Sequence, residues 1–170
     1  MTDIEIRHAL IEDAVASFSL FRQIVSEDIY FAVSLEEMSR TIATQEALFY
    51  RLSNSPNSCI WVACCDEKIV GQLSVMGGSL LRTQHVGVIE MFVHPEFREQ
   101  GLGSKLLAKC VSWCEENAYL QKLELSVISD NHRAIALYQK TGFIQEGCQQ
   151  GSYLDIDNQE RDKILMGLFL

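Results

Sequence analysis

Residues 86–107 read Val86-Gly87-Val88-Ile89-Glu90-Met91-Phe92-Val93-His94-Pro95-Glu96-Phe97-Arg98-Glu99-Gln100-Gly101-Leu102-Gly103-Ser104-Lys105-Leu106-Leu107. A mostly apolar run ends at Val93, and a polar turn with one proline and two glycines follows. From Leu102 onward apolar residues recur at helical spacing through Leu106, Leu107, Cys110, Val111 and Cys114. The stretch therefore predicts a strand, a glycine-bearing loop and an amphipathic helix over about 102–117. Such a turn leaves backbone N–H groups unpaired at the positive end of the helix dipole, where an anion such as phosphate can satisfy them. Gly101 and Gly103 would let the backbone approach that anion, because a Cβ there would stand in the way, and Arg98 can add charge. Other phosphate loops do not fit. Gly103-Ser104-Lys105 lacks the upstream glycine and the following Ser or Thr of a Walker loop, and Leu106 stands where a dinucleotide fingerprint needs a third glycine.

Working outward, Ile4-Glu5-Ile6-Arg7 alternates as a strand. Residues 11–26 place Val15, Phe18, Phe21, Ile24 and Val25 at helical spacing. Ser34-Leu35-Glu36-Glu37 has the form of a capping box, which predicts a second helix from Ser34 to about Leu52. The apolar runs 59–65 and 69–76, joined at Asp66-Glu67-Lys68, predict a hairpin. Downstream of the loop, residues 123–127 read as a strand and 131–141 as a helix closed by Gly142. Two further strands follow, from Phe143 and over 161–170, with a turn near Asp157-Asn158. No repeat or low-complexity tract interrupts this order. It implies a single mixed α/β (α+β) domain over residues 1–170, built around one sheet.

Bulk properties agree. The chain has 170 residues, 48% of them hydrophobic and 22% charged, which suits one domain with a sizeable core. With 14 Lys+Arg against 23 Asp+Glu the net charge is -9, which argues against nucleic acid or an anionic membrane as a partner. Neither a signal peptide nor an apolar stretch of membrane-spanning length is visible, so a soluble, cytoplasmic protein is expected. The six cysteines, Cys59, Cys64, Cys65, Cys110, Cys114 and Cys148, form no C-x-x-C pair and no His cluster joins them. They are expected as reduced thiols serving as small core residues, with no metal site.

Two motifs then converge. Val93-x-Pro95-x-x-Arg98-x-x-Gly101-x-Gly103-x-x-Leu106-Leu107 resembles the coenzyme A signature of the GNAT superfamily of N-acetyltransferases. Further along, Asn131-x-x-Ala134-x-x-x-Tyr138-x-x-x-Gly142-Phe143 resembles that superfamily's second acyl-CoA motif. The likeness covers about 86–170 and its ending is similar to that of bacterial members. The first half agrees only in element order, and in this superfamily it usually shapes the acceptor site; Tyr30, Phe31, Glu36, Glu37 and Arg40 are candidates there.

The resemblance implies a mostly antiparallel central sheet with helices on both faces, and acetyl-CoA as co-substrate with no metal. It implies that Met91, Phe92 and Val93 bind the pantetheine arm through their backbone. The loop of Arg98, Glu99, Gln100, Gly101, Leu102, Gly103 and Ser104 would hold the pyrophosphate. Asn131, Ala134 and Tyr138 fall at i, i+3 and i+7, so they share a helix face that can meet the cofactor. The phenol of Tyr138 would serve as general acid near the thioester sulfur. Glu90, the one carboxylate in the strand 86–93, is the candidate base for the attacking amine, with His85 in reserve. No residue stands out as an acyl-carrying nucleophile, so direct transfer in a ternary complex is expected. The acceptor would be a primary amine: an amino acid, a polyamine or a protein α-amine. Members often form homodimers, so a homodimer is admitted. The rival reading is a non-catalytic acyl-CoA-binding sensor, which would keep the loop yet need neither Tyr138 nor Glu90.

Overall fold

The computed structural model describes residues 4–27, 30–31, 33–38 and 41–170. Along them the chain runs β1 (Ile4–His8), α1 (Asp13–Glu27), α2 (Ile42–Ser53), β2 (Cys59–Cys65), β3 (Lys68–Gly77), β4 (Val86–Val93), α3 (Leu102–Glu115), β5 (Lys122–Ile128), α4 (His132–Lys140), β6 (Ile144–Leu154) and β7 (Glu160–Phe169). The strands form one seven-stranded sheet in the order β1-β2-β3-β4-β5-β7-β6. Every neighbouring pair is antiparallel except β4 and β5. This is the mostly antiparallel sheet that the resemblance implies.

Strand alternation divides the core into two layers. Trp61, Ala63, Leu73, Ile89, Leu123, Leu125 and Met166 point to one face, where they pack with Leu102, Leu106, Leu107 and Cys110 of α3 and with Tyr138 of α4. Val62 and Phe92 point to the other face and meet Leu20, Phe21 and Ile24 of α1. Ile60 joins them there, against Phe49 and Leu52 of α2. Helices therefore cover both faces. On the α1 side the interface also carries a buried polar link, with the Ser17 hydroxyl bonded to the Gln72 side-chain oxygen.

Several local expectations are corrected. Ser34 and Glu37 do make the reciprocal bonds of a capping box, at 3.1 and 3.3 Å, but these close only a turn over 35–37. The helix that follows starts at Ile42, where Thr41 and Thr44 form a second box. Helix α1 starts at Asp13 because its carboxylate accepts from the Leu10 N–H at 2.7 Å and pairs with Arg7. Its inward face is Ala14, Ser17, Phe21 and Ile24, leaving Val15 44% exposed. The β2–β3 hairpin turns on Asp66 and Glu67, both at positive φ, as a two-residue primed turn requires. Cys59, Cys65, Cys110 and Cys114 are buried core residues, with Cys110 and Cys114 sulfurs 4.0 Å apart, whereas Cys148 is exposed on β6.

One topological feature positions the site. The parallel ladder between β4 and β5 pairs only Val86, Gly87 and Val88 with Lys122, Leu123 and Glu124. Beyond Val88 the two strands part, although β4 stays paired to β3 as far as Val93.

Candidate active site

The parting of β4 and β5 opens a cleft of about 580 Å³. One wall is β4 from Val88 to Val93, and the other is Leu125, Ser126, Val127 and Ile128 of β5. Backbone groups of β4 that would have bonded β5 are left facing the cleft, so an extended amide-bearing chain could take the place of the absent ladder.

At one end stands the loop from Arg98 to Ser104. Glu99 (φ 61) and Gly101 (φ 79) both adopt the left-handed region, a conformation that turns successive N–H groups toward a common centre. Gly101 is the N-cap of α3 and no side chain caps the amides of the first turn. A Cβ built on Gly101 would meet nothing within 4 Å, so the space in front of this cradle is open. Arg98 fastens the loop to the strand, its Nε donating to the Val93 carbonyl at 2.9 Å. Gly103 lines the cleft and is also closely packed from behind. Its Cβ would lie 3.2 Å from Leu137 and 3.7 Å from Met91, so this glycine serves the close packing of α3 on α4 and β4. The Gln100 side chain turns back to the Glu96 carbonyl at 2.6 Å and does not line the cleft, so only its backbone amide is available to the loop.

Helix α4 presents Asn131, Ala134, Leu137 and Tyr138 to the cleft. Asn131 is its N-cap, with Oδ1 accepting from the Ala134 N–H at 3.2 Å. That bond orients the side chain and leaves its NH₂ group as the donor available to a ligand. Tyr138 is 7% exposed and its ring meets Phe143 edge-on at 5.7 Å. Burial alone pushes its phenol up to about 12, so the proton stays on the oxygen at neutral pH. The hydroxyl makes no hydrogen bond with any described residue, so it is not committed to capping a carbonyl.

Alternation along the strands shows which side each wall residue faces. Met91 packs toward α3, so Glu90 points to the α1 side with Phe92. On β5 and β7, Leu125 pairs with Met166 toward α3, and hence Ser126, Ile128 and Lys163 project to the α1 side. The cleft therefore passes through the sheet. The amide loop, Asn131, Ala134 and Tyr138 lie on the α3–α4 side. Glu90, Ser126, Lys163 and Met76 lie on the α1 side, under Tyr30 and Phe31. Tyr153 of β6 ties this roof to the hairpin, its hydroxyl donating to the Phe31 carbonyl at 3.3 Å. Aromatic contacts continue inward from Phe31 to Phe21 and then Phe92, at 5.6 and 5.4 Å.

Of the expected site residues, Glu90, Met91, Phe92, Val93, Arg98, Glu99, Gly101, Leu102, Gly103, Ser104, Asn131, Ala134 and Tyr138 all line this one cleft. Tyr30 and Phe31 join them, whereas Glu36 and Glu37 are exposed and away from it, and Arg40 lies outside the described residues. His85 is absent from the lining; its carbonyl accepts from the Gln121 and Lys122 amides beyond the closed end. His94 caps the 3₁₀ turn at Pro95–Phe97, and His8 lies against Trp61 at 3.8 Å. The far wall, Ser126 with Lys163, escaped the sequence reading. Its only signal there was polar residues interrupting apolar strands, which carries no face until the register is known.

The comparisons with known proteins agree with this geometry. A sequence model of the acetyltransferase (GNAT) family matches residues 22–143. The chain is 28% identical over 161 residues to the L-amino acid N-acetyltransferase AaaT of Escherichia coli K12, covering 91% of this chain and 95% of that protein. Its fold superposes on an acetyltransferase of the GNAT family from Streptococcus pneumoniae with a TM-score of 0.93 at 26% identity, covering 99% of each chain. A phosphinothricin acetyltransferase from Sinorhizobium meliloti, solved in complex with acetyl-CoA, has the same fold. There the TM-score is 0.87 at 18% identity, over 100% of this chain and 89% of that one.

Proposed function

The chain belongs to the acetyltransferase (GNAT) family, and from that premise we propose that its through-sheet cleft transfers an acetyl group directly from acetyl-CoA to a primary amine that enters from the α1 side. It is an acetyl-CoA-dependent N-acetyltransferase. The observation that carries the reading of the site is the separation of duties across the sheet. An uncapped amide loop and a free phenol lie on one side, and the lone strand carboxylate Glu90 lies on the other.

Acetyl-CoA supplies an acetyl thioester at the end of an amide-bearing arm and a pyrophosphate. The residues present fit it. The first-turn amides of α3 and those of the left-handed loop hold the pyrophosphate. The β4 edge over Met91, Phe92 and Val93 runs beside the arm, with the Val93 carbonyl already taken by Arg98, and the Asn131 NH₂ group donates to the arm from the opposite wall. Ala134 leaves room beside it. Glu90 accepts the proton that the acceptor's ammonium must lose, directly or through one water. Tyr138 donates a hydrogen bond to the leaving sulfur from the other face, so attack and departure are served from opposite sides of the sheet.

Direct transfer is favoured because, among the described residues, no cysteine or serine in the cleft has a histidine partner. A cytoplasmic setting suits the reduced thiols buried at Cys59, Cys110 and Cys114. The acceptor class favoured by the relative's activity is an amino acid. The test is release of free coenzyme A thiol with amino acids, polyamines, aminoglycosides and N-terminal peptides. Turnover of at least one amine is expected; tight acetyl-CoA binding without turnover of any would favour the sensor reading.

A further inference from the structure

The charged side chains lining the cleft are Glu90, Arg98, Glu99, Arg133 and Lys163. Three of them belong to the pyrophosphate end. Arg98 is anchored on the Val93 carbonyl, and Arg133 faces Glu99 at 3.8 Å. Glu90 is the candidate base. Lys163 remains without a role in the transfer.

Its position is specific. Lys163 of β7 pairs in register with Ile128 of β5 and points to the α1 side, the side of Glu90. It is partly buried, and no carboxylate among the described residues lies within ion-pair distance of it. The neighbouring cations of this half of the sheet are all engaged: Arg161 with Asp155 and Asp130, and Lys122 with Glu124 and Glu146. Diagonally across the ladder sits Ser126, whose register partner is Leu165 and whose side chain projects to the same face. A lysine ammonium and a serine hydroxyl are thus presented together at the cleft, opposite a single carboxylate.

We propose that Lys163, assisted by Ser126, receives a carboxylate of the acceptor, so that the substrate class is free amino acids whose amine lies close to a carboxylate. This rests on the reading of the α1 side as the acceptor side. The spacing suits it. Two strand intervals separate β4 from β7, about 10 Å before the divergence of β4 and β5 is added. A long lysine and a shorter glutamate reaching in from the two rims leave room for a compact zwitterion, its ammonium toward Glu90 and its carboxylate toward Lys163. Tyr30, Phe31, Met76 and Val88 supply an apolar enclosure for the substrate's side chain. A polyamine has nothing to offer Lys163 and meets a like charge there. A peptide N-terminus carries an amide where the carboxylate would be.

The test compares common L-amino acids with their carboxamides as acceptors, using the wild-type protein and Lys163→Met, Lys163→Arg and Lys163→Glu. The wild type is expected to prefer the acid, and Lys163→Met to lose about 10- to 100-fold in kcat/KM on the acid, through KM. The same variant should leave the carboxamide and the KM for acetyl-CoA within twofold. Lys163→Arg should keep the preference and Lys163→Glu should reverse it. Equal use of acid and carboxamide by the wild type, or an equal loss on both in Lys163→Met, overturns the role of Lys163 while leaving an N-acetyltransferase intact. Absence of thiol release with every amine overturns the reading of the cleft, and this proposal with it.

Discussion

Replacing Tyr138 by phenylalanine removes one oxygen and little else. The ring keeps its contact with Phe143, and the hydroxyl has no hydrogen-bond partner among the described residues to lose. Its effect on the reaction can be worked from two values. Burial puts the phenol at about 12, while an ordinary thiol titrates near 8.5. Complete proton transfer to a departing thiolate therefore runs uphill by more than three powers of ten, and the phenol must act as a hydrogen-bond donor to the developing charge. A hydrogen bond to a charged group contributes about 1.5–3 kcal/mol, which at 1.36 kcal/mol per decade is about 13- to 160-fold in rate. The assay is thiol release at saturating acceptor and acetyl-CoA, alongside acetyl-CoA binding and thermal melting. Tyr138→Phe should lower kcat by that factor with binding and melting temperature unchanged near neutral pH. A kcat within threefold of wild type would refute the reasoning, as would a loss confined to KM. Alkaline melting gives a second reading. A phenol raised in the folded state stabilises the fold fully below the unfolded value near 10, and that contribution is lost as pH rises toward 12. Tyr138→Phe should lack that part of the alkaline decline.

Three further outcomes follow from the same structure. Glu90→Gln should reduce kcat/KM by about 10²- to 10³-fold and change the shape of the pH–rate profile; a profile matching the wild type would remove Glu90 from proton transfer. Gly101→Ala places a side chain at φ 79 and a methyl group in the cradle. Acetyl-CoA KM should rise about tenfold or more, and the left-handed conformation should cost about 1–2 kcal/mol, or several degrees of melting temperature. Asp13→Ala removes both the Leu10 amide bond and the Arg7 pair, and should destabilise by about 1–2 kcal/mol. The Arg7 guanidinium holds the Asp13 carboxyl below its usual range. Its contribution is present above the unfolded value and lost as pH falls through the folded one, so wild type and variant should converge in acid.

How much of this could be read from the chain depended on range. The loop at 98–104 and the face of Asn131, Ala134 and Tyr138 were legible because each is a short segment whose geometry follows from its own spacing. The boundary of α2 was misplaced because Ser34 and Glu37 satisfy the capping pattern locally, yet the helix proper starts from the equivalent box at Thr41 and Thr44. The packing of Gly103 against Leu137 involves a residue far along the chain, so its own segment does not reveal it. Ser126 and Lys163 were passed over for the same reason. Their common face exists only once β7 pairs with β5 in a particular register, and nothing within either strand encodes it.

The short parallel ladder has one more consequence. Each backbone pair that β4 and β5 decline to make beyond Val88 would have stabilised the resting fold by about 1 kcal/mol. A variant selected only for thermal resistance would be drawn to zip these strands together and would extinguish turnover in doing so. The vacancy is a tolerated weakness of the architecture, held open by its surroundings. With the arm seated there as proposed, robustness and turnover compete along these few residues.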